Sequence, residues 1–320
     1  MLFLSDEQLR SLLNPDEVIQ AIRAAFARGF RSLRMPVRTT LQLDGAVLLI
    51  MPCYDDSLQA AGVKLVSVSK KAGVNAVYHL LDPATGMSLA HMEANYLTDL
   101  RTAATSAVAT DLLSRKHVST LGIFGTGRQA IAHLAVVPRV RSFKRFLVCG
   151  SGLSDLNAFC RKMKTDHGIE IEAVNAEVCA RESDVICACT NASDPLFDGS
   201  WLKPGTHLNL VGAFQPHTRE VDDETVRRAR VVVDTYDGAL AEAGDLLIPL
   251  QNGTIERSHV IADLHEIASG KRPGRNSRDD ITLFKSVGCA VEDLVTALAA
   301  YRHGSAQAEA PVMSARKNSE

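Results

Sequence analysis

Ser119-Thr120-Leu121-Gly122-Ile123-Phe124-Gly125-Thr126-Gly127-Arg128-Gln129-Ala130-Ile131-Ala132-His133 is the stretch that decides the fold. Leu121, Ile123 and Phe124 form a short apolar run of the kind a buried strand needs, and from Gln129 onward Ala130, Ile131, Leu134 and Ala135 recur at helical spacing. Between them stands Gly125-Thr126-Gly127-Arg128-Gln129-Ala130, a GxGxxA turn. In a strand-turn-helix context the first glycine makes the turn, the second admits a pyrophosphate close to the backbone, and the alanine lets the helix pack near the strand. The helix amino end then offers N–H groups to phosphate. The reading is a dinucleotide site with Gly125, Thr126, Gly127, Arg128 and Gln129 as cofactor-binding residues.

Downstream, apolar runs and helical patterns alternate, as a doubly wound parallel sheet requires. Strands are expected at 146–149, 184–189, 207–211 and, as the last of the series, 230–234, with helices at 155–164 and 222–229. Upstream, Ser5-Asp6-Glu7-Gln8 and Asn14-Pro15-Asp16-Glu17 read as helix starts, the second with proline at the first helical position. Strand-like runs follow at 38–43, 46–51, 62–68 and 75–81, the first two joined by the hairpin signal Asp44-Gly45. A helix from about Tyr96 to Ser114 leads into the glycine loop, and a closing helix is expected over 291–301, with an irregular tail after Gly304. The fold class is α/β: a Rossmann-type doubly wound parallel sheet (116–288) plus a mixed, largely antiparallel α+β domain built from 1–115 with 289–320.

Composition narrows the function classes. The 320 residues hold 35 basic and 37 acidic side chains, so no strong field marks nucleic acid or an anionic membrane as partner. No apolar run reaches the roughly 18 residues of a membrane span, and the amino end has no basic-then-apolar signal pattern, which suggests a cytoplasmic protein. Seven cysteines without a CxxC pair suggest buried thiols, and no metal site is expected.

Three cations stand before the glycine loop: Arg38 in MPVRTT, Lys64 in AGVKLVS and Arg101 in TDLRTAATSA. Arg38 and Lys64 fall on expected strands, and Lys64 is embedded in an apolar one. A buried charge needs a partner, and an anionic ligand is one that would serve. An arginine fork suits a carboxylate.

Taken together, MPVR, GVKLVS, LTDLRTAATSA, GIFGTGRQA, EAGDL and ITLFKSVG resemble the ornithine cyclodeaminase/mu-crystallin family from about residue 5 to 303. The resemblance implies a homodimer that pairs the sheets of its first domains, a Rossmann second domain, and NAD(P)-dependent chemistry at a carbon bearing nitrogen. Carried over by position, Arg38 and Arg101 clamp a substrate carboxylate and Lys64 lies beside the reacting imine or amine. Ser286, Val287 and Gly288 line the nicotinamide, and Thr190 and Asn191 touch the cofactor at a strand end. Phe214 joins the cofactor-contacting set.

Phe214 is also the informative departure. The cyclodeaminase and alanine dehydrogenase branches carry an aspartate two residues after the strand-end glycine, whereas this chain reads Gly212-Ala213-Phe214-Gln215-Pro216. A phenyl ring cannot take a proton. The segments Arg219-Glu220-Val221-Asp222 and Glu242-Ala243-Gly244-Asp245 resemble instead the branch that reduces cyclic ketimines such as 1-pyrroline-2-carboxylate and 1-piperideine-2-carboxylate. Lys64 is then either the proton donor to nitrogen, with Arg101 beside it at the chemistry, or a third carboxylate ligand. Glu242 and Asp245 stand either near the cofactor or on the surface. The competing readings are an ornithine cyclodeaminase, an amino-acid dehydrogenase acting with ammonia, and a non-catalytic small-ligand protein. For the cofactor, the tip of the second strand reads Cys149-Gly150-Ser151-Gly152 and lacks the acid that binds ribose hydroxyls, so NADPH is favoured at Ser151 with NADH also accommodated.

Overall fold

The computed structural model describes residues 1–69 and 71–316 and resolves them into two compact units. The first comprises Met1–Ala25, Gly29–Arg101 and the chain from Cys289; the second comprises Phe26–Arg28 and Thr102–Gly288.

The chain opens with β1 (Leu2–Leu4), α1 (Asp6–Leu12) and α2 (Pro15–Arg28). Ser5 closes a capping box with Gln8 at the start of α1, and Val18, Ile19 and Ile22 of α2 are buried. Then come β2 (Leu33–Arg34), β3 (Thr39–Gln42), β4 (Ala46–Asp55), β5 (Ala60–Ser69), β6 (Gly73–Leu81), β7 (Ser88–Glu93) and α3 (Asn95–Leu113). They form one sheet in the order β1-β7-β6-β5-β4-β2, with β3 paired to β4 alone. Only β1 and β7 run parallel. Alternation along β5 buries Ala60, Gly62, Lys64 and Val66 on one face, beside Met51 and Cys53 of β4 and Ala76, Tyr78 and Leu80 of β6. The helix from Ala290 packs against β4, β5 and β6. Lys64 is the sole cation in that set.

The second unit contains β8 (Thr120–Phe124), α4 (Arg128–Val136), β9 (Arg145–Cys149), α5 (Leu153–His167), β10 (Glu172–Ala173), α6 (Ala176–Glu182), β11 (Val185–Ala188) and β12 (His207–Leu210). It continues with α7 (Asp223–Arg228), β13 (Ala229–Val233), α8 (Tyr236–Glu242), α9 (Gly244–Gln251), β14 (Val260–Asp263), α10 (Leu264–Ala268) and β15 (Ile281–Lys285). The eight strands are all parallel, in the order β10-β9-β8-β11-β12-β15-β13-β14. From β8 the chain winds outward through β9 and β10, then returns to β11 on the other side of β8. The switch point is therefore between β8 and β11, directly at the glycine loop. Residues alternate between two cores: Leu121, Ile123, Leu134 and Val148 pack on one, and Phe124, Leu147, Ile186, Leu208 and Leu283 on the other.

Three sequence-based expectations need correction. Arg38 lies in the irregular segment before β3, which begins only at Thr39. The strand at 229–233 is not the last: β14 and β15 follow, and β15 inserts between β12 and β13. The ITLFK of β15, whose apolar run is interrupted by Thr282 and Lys285, is not among the strands expected from sequence, yet both side chains are buried. Finally, α11 (Ala290–Arg316) continues well past Gly304, because Ala306 and Ala308 favour helix; only residues 317–320 of the expected irregular tail lie outside the described residues. Among the described residues no helix is long and apolar enough to cross a membrane.

Candidate active site

Lys64 and Arg101 come together in the first unit, and the partners of both are carboxylates of α11 that the sequence reading did not single out. Lys64 Nζ donates to Asp293 Oδ1 at 2.7 Å, and Arg101 Nη1 donates to Glu292 Oε2 at 2.5 Å. Arg101 Nε lies 2.9 Å from the same Asp293 Oδ1. Side-chain exposure is 1% for Lys64, 7% for Arg101 and 0% for both acids, so the four charges face little water. Glu292 and Asp293 occupy the first turn of α11, where the helix dipole favours negative charge. Burial, then the Arg101 guanidinium, pulls the Lys64 ammonium down to about 8, against the upward pull of Asp293. Burial also works against the Arg101 charge, but Asp293 and Glu292 outweigh it and push its pKa up. An acidic pair on an otherwise apolar helix, AVEDLVTALAAY, was the available signal. Arg38 is half-buried.

The predicted cofactor residues gather along the carboxyl edge of the parallel sheet. Gly125 has φ +106°, its N–H donates to Cys149 O at 2.8 Å, and a Cβ there would stand 2.6 Å from Cys189 O. No other residue type fits. Gly127 caps α4 without a side-chain hydrogen bond, and a Cβ on it would meet nothing within 4 Å. An uncapped helix start with open space beside it suits a diphosphate. Arg128 is exposed and Gln129 half-buried at that start. A Cβ on Gly150 would contact Thr126 at 3.4 Å, so the tip of β9 abuts the glycine loop, with Ser151 exposed just beyond. Asp155 Oδ2 reaches within 3.7 Å of the Cβ position of Gly152, placing a carboxylate near that tip which the sequence reading overlooked.

Three buried acids organise the rest of this edge. Glu220 Oε1 accepts from Thr190 N–H and Oγ–H, both at 2.8 Å, while Oε2 accepts from Gly212 N–H at 2.8 Å and Ala213 N–H at 3.4 Å. The loops after β11 and β12 are thereby tied together, so tightly that a Cβ on Gly212 would sit 1.8 Å from Thr190 O. Asp245 Oδ1 accepts from Glu220 N–H, and Oδ2 lies 2.8 Å from Lys285 Nζ with both side chains fully buried. Asp245 is thus interior, while Glu242 is half-buried. Burial raises the Glu220 carboxyl, opposed by Lys285. Asp234 Oδ2 accepts from Ser286 Oγ–H at 3.1 Å and from Val287 and Gly288 N–H, each at 2.7 Å. These backbone donors of the FKSVG segment therefore serve Asp234 and shape the turn. Asn191 is exposed, and Phe214 packs half-buried against the core.

Such a molecule is an α/β protein of the dinucleotide-binding class, joined in one chain to a mixed sheet that buries a lysine–arginine–carboxylate cluster. The chain belongs to the ornithine cyclodeaminase/mu-crystallin family, whose model matches residues 1–307. It is 38% identical over 309 residues to a Delta(1)-pyrroline-2-carboxylate reductase of Bacillus cereus, covering 93% of this chain and 94% of that protein. It is 34% identical over 312 residues to the ketimine reductase mu-crystallin of Mus musculus, covering 93% and 96%. Among solved structures, the Thermococcus litoralis Delta(1)-pyrroline-2-carboxylate reductase in complex with NADH and L-proline matches with a TM-score of 0.93 at 38% identity, over 96% of this chain and 98% of that one.

Proposed function

We propose that this protein is an NAD(P)H-dependent oxidoreductase acting on CH–NH groups, which reduces 1-pyrroline-2-carboxylate to L-proline and accepts 1-piperideine-2-carboxylate, giving L-pipecolate, as the larger-ring substrate. The observation that carries this reading is the buried cluster of Lys64 and Arg101 on Asp293 and Glu292, in which burial and the Arg101 guanidinium lower the Lys64 ammonium and so ease loss of its proton. The naming of the relatives agrees with it.

Arg38 and Arg101 hold the substrate carboxylate and fix the orientation of the ring. Lys64 donates a proton to the ring nitrogen as the C=N π pair moves onto it. Gly125–Gln129, Ser151 and the Thr190, Asn191, Phe214 and Ser286–Gly288 loops would hold a nicotinamide cofactor, which would supply hydride to the ring carbon. Lys64 then regains its proton from water. Phe214 leaves the cyclodeaminase position without a proton acceptor, which argues for reduction over deamination of ornithine. Ser151 leaves room for a 2′-phosphate, whereas Asp155 nearby suits ribose hydroxyls, so both NADPH and NADH fit. The protein acts as a homodimer: β3 is exposed throughout, and Leu41 on it, Leu43 just beyond it, Val37 and Val74 are exposed apolar side chains that a second copy would cover. Seven free thiols fit the reducing cytoplasm.

Purified protein mixed with 1-pyrroline-2-carboxylate and NADPH or NADH tests the reading through loss of reduced-nicotinamide absorbance. Oxidation with the imine and none with L-ornithine and NAD is the expected result; ammonia release from ornithine refutes it.

A further inference from the structure

Lys64 lies on the buried face of β5, and its neighbours there cannot accept its charge. Cys53 on β4 is pushed up to about 12 by burial and then by Asp55, and burial pushes Tyr78 on β6, directly opposite Lys64 in register, well above its ordinary value. Both stay neutral under working conditions. Arg101 on α3 repels the ammonium, and the first turn of α11 brings Glu292 and Asp293, with Cys289 Sγ–H donating to Glu292 Oε1 at 3.3 Å. Asp293 Oδ1 serves Lys64 and Arg101 together, while the buried Oδ2 has no hydrogen-bond donor. A buried carboxylate oxygen without a donor is costly, so this acid is not there to saturate a network. Among the described residues it is the one anion in direct contact with the lysine.

We propose that Asp293 is the positioning residue that keeps the Lys64 ammonium fixed and protonated for donation to the substrate nitrogen, with Glu292 serving Arg101 in the same way. The proposal rests on the ketimine-reduction reading. Substitution Asp293→Asn removes the anion but keeps the shape. Lys64 is then left with burial and Arg101, both of which favour its neutral form, against the more distant charge of Glu292 alone. Loss of an opposite charge at this distance moves a pKa by about 1–2 units, so the protonated fraction near pH 7.5 falls roughly 3- to 25-fold.

The test is the pH profile of kcat/KM for 1-pyrroline-2-carboxylate in the full chain, compared with Asp293→Asn, Asp293→Glu and Glu292→Gln. Expected are an alkaline limb displaced by about 1–2 units to lower pH in Asp293→Asn, retention of its position in Asp293→Glu, and a rise mainly in KM for Glu292→Gln. A second readout needs no turnover: the 13Cε resonance of Lys64 in lysine-labelled protein, assigned by its loss in Lys64→Arg, is titrated in both proteins. If the imine is not reduced, the proposed function fails and this midpoint alone decides. Its movement to lower pH in Asp293→Asn supports the assignment; an unmoved midpoint, or a loss equal at all pH values, overturns it. Should Asp293→Asn not fold, Asp293→Glu decides: a retained limb with lowered kcat supports the role, and a displaced limb refutes it.

Discussion

Replacing Glu220 by glutamine probes whether one buried carboxylate holds the cofactor edge together. Four donors converge on it: Thr190 N–H and Oγ–H on one oxygen, Gly212 and Ala213 N–H on the other. An amide keeps only one accepting oxygen. With that oxygen facing Thr190, the amide NH2 faces Gly212 N–H and Ala213 N–H, donor against donor. The 2.8 Å bond from Gly212 is lost outright, and the two bonds from Thr190 weaken from charge-assisted to neutral. Relief of the desolvation that raises the Glu220 carboxyl offsets part of this, leaving a net cost of about 2–3 kcal/mol. For a body the size of the second unit that is a fall in Tm of roughly 5–10 °C. Scanning calorimetry with and without NADH reads the transition, and nucleotide fluorescence reads the accompanying loss of NADH affinity. A fall below about 2 °C together with unchanged NADH affinity would refute the reasoning.

Ser151→Asp should lower the NADPH-to-NADH ratio of kcat/KM by at least about tenfold, since a carboxylate beside a 2′-phosphate is repelled; an unchanged ratio removes Ser151 from the ribose site. His133 and His207 are fully buried and neutral, drawn down from 6.5 to about 4 and about 3, His133 by burial against the Gln129 carbonyl, and His207 by burial and then Arg275. Below pH 6.5 the unfolded chain binds protons that the folded one refuses, so stability falls as pH drops toward 4. At pH 5 each costs about 2 kcal/mol. Urea unfolding at pH 7 and 5 should show about 2 kcal/mol less acid loss in His133→Gln than in the parent, and parallel losses would contradict the assignment.

The glycine loop was legible because its constraints are local. Gly125 needs a positive φ, Gly127 needs space, and the strand and helix around them announce themselves by period. Lys64 was legible as a buried cation because alternation along β5 places it on the face of Gly62 and Val66. Its partner was not, because Asp293 follows 229 residues later and reaches Lys64 only when α11 packs on the sheet. Arg101 and Glu292 are likewise 191 residues apart. The anion that seemed owed to a ligand is in the chain itself.

By itself, then, the sequence determined what depends on neighbours in the chain: strand alternation, helix caps, the Asp44-Gly45 hairpin, the phosphate-type turn and the absence of an acid at position 214. Tertiary structure decided the insertion of β15 between β12 and β13, the burial of Lys285 on Asp245, the fastening of two loops by Glu220 and the pairing of Lys64 with Asp293. Backbone dihedrals and periodicity answer to local sterics. The partner of a buried charge is chosen by whichever element packs over it, and no local pattern encodes that.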